Sequence, residues 1–150
     1  MFSFRAKRWG FRLGGLGLLA VVAAGCGGGS PFGKMPITGK VTYEDGSLIP
    51  AARIMVTFVP QIPPADPKTH PRPGVAEVNP ADGTFKDVTS LKYADGATIG
   101  PNKVQIISFD KQQNITNAVP VIYRQLGTTP LEVEIAPGSS HIELKVRKPG

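Results

Sequence analysis

From Met35 onward the chain alternates apolar and polar residues with a period of two, interrupted by glycine, proline and Asp-Gly pairs. In "PITGKVTYEDGS", Ile37, Gly39, Val41 and Tyr43 fall on one side and Thr38, Lys40 and Thr42 on the other. Successive side chains of a strand point to opposite faces, so this is the pattern of a strand with one buried side. Asp45-Gly46 then supplies the positive φ of a tight turn. "ARIMVTFVP" follows, with Ile54, Val56 and Phe58 facing one way while Met55 and Val59 keep the other side partly apolar. A strand apolar on both sides is expected in the middle of a sheet.

Gln61 to Pro73 carries Pro63, Pro64, Pro67, Pro71 and Pro73, which no interior strand tolerates. It is expected to be a long surface loop, stiffened towards polyproline geometry. "GVAEV" resumes a short strand, "NPADGTF" turns at Asp82-Gly83, and Asp95-Gly96 closes the excursion "TSLKYADGATIGP". Asp87 falls where an inward apolar residue would fit, which points to a bulge. "KVQIISF", Lys103 to Phe109, is the next strand, with Val104 and Ile106 inward; Asp110 to Pro130 is polar and irregular. Leu131, Val133 and Ile135 are then expected to pair with Ile142, Leu144 and Val146 as a hairpin across "APGSS". Glu132 and Glu134 would face Glu143, Lys145 and Arg147 and help set the register. No segment after residue 34 carries a 3.6-residue apolar period.

The expected fold class is all-β: a seven-stranded antiparallel β-sandwich over residues 36–148. Its core would be Ile37, Val41, Ile54, Val56, Phe58, Val78, Phe85, Val104, Ile106, Leu131, Val133, Ile142, Leu144 and Val146. The 18 glycines and 15 prolines suit so turn-rich an architecture. With one cysteine in the chain, no intramolecular disulfide or CxxC site is available, so the core rests on apolar burial alone.

The net charge of +6 is concentrated at the start of the chain. Arg5, Lys7, Arg8 and Arg12 precede Leu13 with no acidic residue among them, and without residues 1–25 the balance is 13 basic against 11 acidic. That dispersed remainder lacks the clustered footprint of phosphate-backbone binding, so no nucleic-acid partner is expected.

The cationic start, the apolar run Leu13 to Ala24 and the small residues after it have the build of a secretory signal over residues 1–25. About a dozen apolar residues cover roughly 18 Å as a helix, against ~30 Å of hydrocarbon, which is short for a permanent span. Ala23-Ala24-Gly25-Cys26 resembles the lipobox of bacterial lipoproteins, with Ala23 where leucine is usual. The resemblance implies a diacylglyceryl thioether on Cys26, cleavage between Gly25 and Cys26, and further N-acylation. Two or more acyl chains give the stable anchorage that one chain does not. Residues 26–35, including "GGGSPFGK", then read as a flexible tether. The chain is expected to be exported and held at a cell-envelope membrane, as a periplasmic or outer-membrane lipoprotein.

"ITGKVTYEDGSLIPAARIMVTFVP", "NPADGTF", "GATIGPNKVQIISF", "VPVIYRQ" and "LEVEIAPGSSHIELKV" together resemble the small transthyretin-like or carboxypeptidase-regulatory-like lipoproteins of planctomycete bacteria. That resemblance covers most of residues 36–147 and implies a prealbumin-like or immunoglobulin-like sandwich, with no catalytic residues to carry over. The hydroxyisourate hydrolases of the transthyretin fold depend on histidines, an arginine and a C-terminal Tyr-Arg-Gly-Ser tail, whereas this chain ends "LKVRKPG".

Candidate chemistry is sparse. His70 and His141 are the only histidines and have no ligand-spaced partner, so neither a metal nor a cofactor is expected. Each of the three Asp-Gly pairs is explained by turn geometry. Ser30, Ser90, Ser108, Ser139 and Ser140 lack a nucleophile-elbow context, and Glu132 with Glu134 reads as a solvated strand face. Tyr123 is expected to form a corner, packing its ring and bonding backbone with its hydroxyl. The chain is therefore expected to be no enzyme but a structural or protein-binding module at the cell envelope. Its candidate binding residues lie in the two long loops: Gln61, His70 and Arg72 in the first, Gln113, Asn114, Tyr123 and Arg124 in the second. The alternatives are a carbohydrate- or small-ligand-binding module, or an accessory domain of an envelope hydrolase.

Overall fold

The computed structural model describes residues 29–138 and 141–150. In chain order the strands are β1 (Lys34–Met35), β2 (Thr38–Tyr43), β3 (Arg53–Pro60), β4 (Gly74–Val78), β5 (Thr84–Phe85), β6 (Ala97–Thr98), β7 (Gly100–Phe109), β8 (Glu132–Ile135) and β9 (His141–Val146). The one helical element among the described residues is a 3-10 turn at Val121–Tyr123. Seven strands form a single sheet in the order β8-β7-β3-β4-β5-β2-β9, while β1 and β6 make a separate two-stranded ribbon.

β3 sits inside the sheet, as its two-sided apolar pattern requires. It pairs antiparallel with β7 from Arg53↔Phe109 to Pro60↔Asn102, and with β4 from Ile54↔Val78 to Phe58↔Gly74. Ile54, Val56 and Phe58 are buried, and Met55 and Val59 are half-buried on the opposite face. The Asp-Gly turns form as expected, with Gly46, Gly83 and Gly96 at φ 83°, 78° and 94°. At Asp82 the carboxylate also accepts the Thr84 amide at 2.9 Å, which fixes the chain leaving the turn.

Asp87 is not a bulge in a ladder. β5 ends at Phe85, and Asp87 takes a left-handed φ of 54°, which turns Val88 into the core in its place.

The sheet is mixed and not antiparallel throughout. β2 and β9 run parallel, in register from Thr38↔His141 to Tyr43↔Val146. The expected β8–β9 hairpin does not form: β8 pairs with β7, β9 pairs with β2, and the two lie at opposite margins. Alternation specifies which face of a strand is buried, and any neighbour with the same demand satisfies it. Gly39 favours the observed choice, because an added Cβ would stand 2.1 Å from the Ile142 carbonyl oxygen and 2.5 Å from the Phe85 ring. The charges follow the pairing: Glu132 faces Lys103 at 3.9 Å, and Glu143 is in register with Lys40.

One face of this sheet holds the core. Eleven of the fourteen expected core residues are buried, while Leu131, Val133 and Ile142 pack against it half-buried. Tyr43, Ile49, Val88, Ala97, Val119, Tyr123 and Ile135 join them. With no α-helix among the described residues to cover that face, the sheet curls over its own apolar side. Phe58 and Phe85 thus meet at 5.7 Å between ring centroids although β4 separates their strands. Two tyrosines fasten the curl. The Tyr43 hydroxyl, near the β9 margin, donates to the Ala118 carbonyl in the connection after β7 at 2.7 Å. From that same connection, the Tyr123 hydroxyl accepts the Arg147 amide just beyond β9 at 3.0 Å.

Gly39→Ala is expected to destabilise the protein by about 2 kcal/mol, since the ring and carbonyl that meet the new methyl belong to packed strands. Tyr123→Phe is expected to cost about 1 kcal/mol, leaving the ring in place but the Arg147 amide unpaired. Both follow from thermal or urea denaturation of the variants.

Candidate functional site

A connection as long as Asp110 to Pro130 has little ladder to satisfy its backbone, so side chains must do so. Asp110 accepts the amides of Gln112 and Asn114 at 2.8 and 2.9 Å, and the Asn114 side chain donates to its other oxygen at 3.1 Å. The Asn114 amide and side chain hold the Asp110 carboxyl below the usual carboxylate range. Gln113, at φ 66°, presents its side-chain oxygen to Arg53 at 3.2 Å. The Arg124 guanidinium donates to the carbonyls of Thr116 at 2.7 Å and Val119 at 2.8 Å and to the Asn117 side chain at 2.8 Å. Tyr123 is buried and forms the expected corner.

Asn114, Tyr123 and Arg124 therefore help hold the second loop in shape, and Gln113 ties it to Arg53 on β3. Among its exposed residues the loop carries four large apolar ones, Ile115, Val121, Ile122 and Leu126, with Val121 57% exposed.

In the first loop, Gln61 is exposed and folds back on its own strand end, its side-chain amide donating to the carbonyls of Val59 and Pro60 at 2.9 and 3.2 Å. The loop is pinched by an Asp66↔Thr69 bridge, and Asp66 accepts the Lys68 amide at 2.8 Å. His70 and Arg72 remain exposed, and with Lys68, Ser30, Gly29 and Leu91 they line a depression of about 360 Å³.

Beside it lies a second depression, of about 270 Å³, lined by Phe32, Lys34, Leu91, Lys92 and Asp95. The Lys34 ammonium contacts the Asp95 carboxylate at 2.5 Å, and both side chains are more than four-fifths buried. Asp95 also accepts the amides of Ser90 at 2.7 Å, Leu91 at 3.1 Å and Lys92 at 3.0 Å. Burial pushes this carboxyl up, but the Lys34 ammonium and the three amides outweigh it and leave it well below the ordinary range. The ion pair sits where β1 joins β6, and the adjoining Gly33 carbonyl accepts the Ile99 amide at 2.9 Å. Lys34 and Met35, which the sequence placed in the tether, are thus part of the folded domain.

A third concavity, of about 480 Å³, lies on the outer face of β3 and β4, lined by Arg53, Met55, Glu77, Lys86, Asp87 and Tyr93. Tyr93 is 80% exposed, and its hydroxyl donates to Asp87 at 3.2 Å, which raises its pKa. Arg53 pairs with Glu77 at 3.2 Å across the strands.

The remaining candidates stand apart. His141 contacts Glu143 at 3.0 Å on an exposed strand face, Ser90 hydrogen-bonds Asp95, and Ser108 bonds Thr116. Among the described residues, no three His, Cys, Asp or Glu side chains gather in a metal-holding group. Gly25, Cys26, Ser139 and Ser140, and the leader expected over residues 1–25, lie outside the described residues. No helix among the described residues is long and apolar enough to cross a membrane. No family model, curated protein or solved structure matches the chain.

The features missed from sequence are Lys34 with Asp95, the exposed Tyr93, and the apolar tip at Val121, Ile122 and Leu126. Lys34 and Asp95 are 61 residues apart, beyond any local spacing rule, and Asp95 is fully accounted for as a turn residue. The tip was hidden because "VPVIY" reads equally well as core.

The depressed Asp95 carboxyl has a definite pH consequence. Its stabilisation is complete above the unfolded value of about 3.9 and is lost as pH falls through the folded one. Stability is expected to decline from about pH 5 downward. Asp95→Asn should lower stability at neutral pH and flatten part of that decline, as read by thermal denaturation across the acid range.

Proposed function

We propose that the protein is a lipid-anchored display module of the cell envelope, whose all-β domain is a sandwich of the prealbumin-like or immunoglobulin-like kind. In this reading Cys26 carries the anchor, the domain is non-catalytic, and the Asp110 to Gln125 loop is a protein-binding surface. The observation that carries the proposal is that loop's construction. Asp110, Gln113, Asn114 and Arg124 make hydrogen bonds within the protein, while Val121, Ile122 and, just past the loop, Leu126 are exposed on a turn stapled by Arg124. Exposed apolar side chains on a rigid support are a feature of protein-binding sites, since little ordering entropy opposes their docking. The firm seat of β1, through Lys34 and Asp95, supports the anchored half, because it gives the tether a defined point of attachment.

Two measurements test this. Intact mass of the membrane-extracted protein should show acyl additions on a chain beginning at Cys26; a free thiol there would overturn the anchor. A tagged chain should co-purify an envelope protein after cross-linking, and Ile122→Asp with Leu126→Asp should reduce that recovery by at least about ten-fold, as for loss of a hot spot. Unchanged recovery would overturn the role given to the loop.

A second reading has its own observation. The exposed ring of Tyr93 beside Arg53, Glu77, Lys86 and Asp87 has the aromatic-plus-polar make-up of a sugar-binding cleft. A glycan array that lights up with the parent chain and is silent with Tyr93→Ala would favour it over protein binding.

A further inference from the structure

The depression at the start of the described chain combines features that neither long loop predicts alone. Lys68, His70 and Arg72 come from the proline-rich loop, Gly29 and Ser30 from the N-terminal segment, and Leu91 from the turn before β6. No carboxylate is among its lining residues. Asp66, the acidic group closest in sequence, has its carboxyl held below the ordinary range by the Thr69 hydroxyl first and the Lys68 amide second, and His70 contributes electrostatically. In the adjoining depression, Lys34 neutralises Asp95, while Lys92 adds a further cation. Lys68, Arg72 and Lys92 outnumber the ionised Asp66 at the edge of this surface, which is therefore net cationic, although the domain as a whole is nearly neutral. Leu91 and Phe32 place apolar groups among those charges, and Leu91 lines both depressions.

We infer that this surface docks on the phosphate headgroups of the membrane that holds the anchor, so that the domain lies against the bilayer in one orientation. The inference takes its occupant from the anchored reading of Cys26. Gly29 lies three positions after Cys26, and three extended residues span at most about 11 Å. A lipid on Cys26 would thus hold the depression within roughly one Debye length of the headgroups, where their charge is still felt. Cationic side chains around an exposed apolar one match that interface: the cations meet phosphate, and leucine and phenylalanine enter the acyl boundary.

The inference is tested on the chain from residue 26 onward carrying Cys26→Ser, so that neither the cationic, apolar stretch of residues 1–25 nor an acyl chain contributes, by sedimentation with vesicles. One set is phosphatidylcholine alone, and the other also contains phosphatidylglycerol. Lys68→Gln with Arg72→Gln should weaken binding to the anionic vesicles by on the order of ten-fold, with little change on the neutral ones. Lys111→Gln with Lys145→Gln, which removes the same charge from exposed positions that do not line the depression, should change it less than about two-fold. All four positions are exposed, and matching melting curves would establish that the variants remain folded. Equal weakening by both pairs overturns the inference, because it would reflect net charge alone. So does displacement by inorganic phosphate beyond that of chloride at matched ionic strength, since the depression would then be a free-anion site. The anchor is judged separately, by intact mass of the unsubstituted chain. An acylated Cys26 with no effect of Lys68 and Arg72 overturns only the docking. An unmodified Cys26 with the effect intact overturns only the anchor.

Discussion

A sheet with one apolar face must cover that face, and among the described residues no helix does so. This constraint governs the rest of the molecule. The sheet curls over its apolar side, and the curl is held by bonds between the β2–β9 margin and the connection after β7. Tyr43 and Tyr123 make them, each burying its ring while its hydroxyl reaches a backbone group on the other side. A buried hydroxyl left without a partner would cost about 1–3 kcal/mol, so each latch fixes its neighbours' positions as well as joining them. Lys148 reinforces the same margin, resting 5.6 Å above the Tyr43 ring and pairing with Asp45.

The connection after β7 has its form because the latches lie in it. Ala118 must stand where the Tyr43 hydroxyl can reach it, and Tyr123 must stand beneath Arg147. Arg124 brings this about by gathering the Thr116 and Val119 carbonyls, and Gln105 secures the Arg124 carbonyl from β7 at 3.0 Å. The apolar residues left on the outside of that turn are thus displayed by a segment whose inner side is committed to holding the curl of the sheet. Shape and presentation have one cause.

How much of this was legible in the sequence depends on whether the information is local. The face each strand buries is encoded in alternate positions, so the inner residues of β2, β3, β4 and β7 could be read directly, as could the three Asp-Gly turns. Which strand lies beside which is not encoded there. Leu131–Ile135 and Ile142–Val146 have matching patterns and a short connection, yet they flank opposite margins, because Gly39 opens a place beside β2 that only the whole fold reveals. The loop residues show the same limit. Arg124, Gln113 and Asn114 look like ligand contacts in a linear reading, since polar side chains in irregular segments serve either recognition or backbone satisfaction, and only coordinates distinguish the two. The lipobox-like pattern at Gly25 and Cys26 lies outside the described residues.

The parallel register of β2 and β9 gives the molecule a mechanical character. Thr38 opens one strand and Val146 closes the other, and they stand at opposite ends of the ladder. A pull between the two chain termini therefore loads the β2–β9 hydrogen bonds lengthwise and together, in shear, and does not unzip them one by one. Such a joint yields late, so a domain held at its front end and tugged at its rear would stretch little before it gave way.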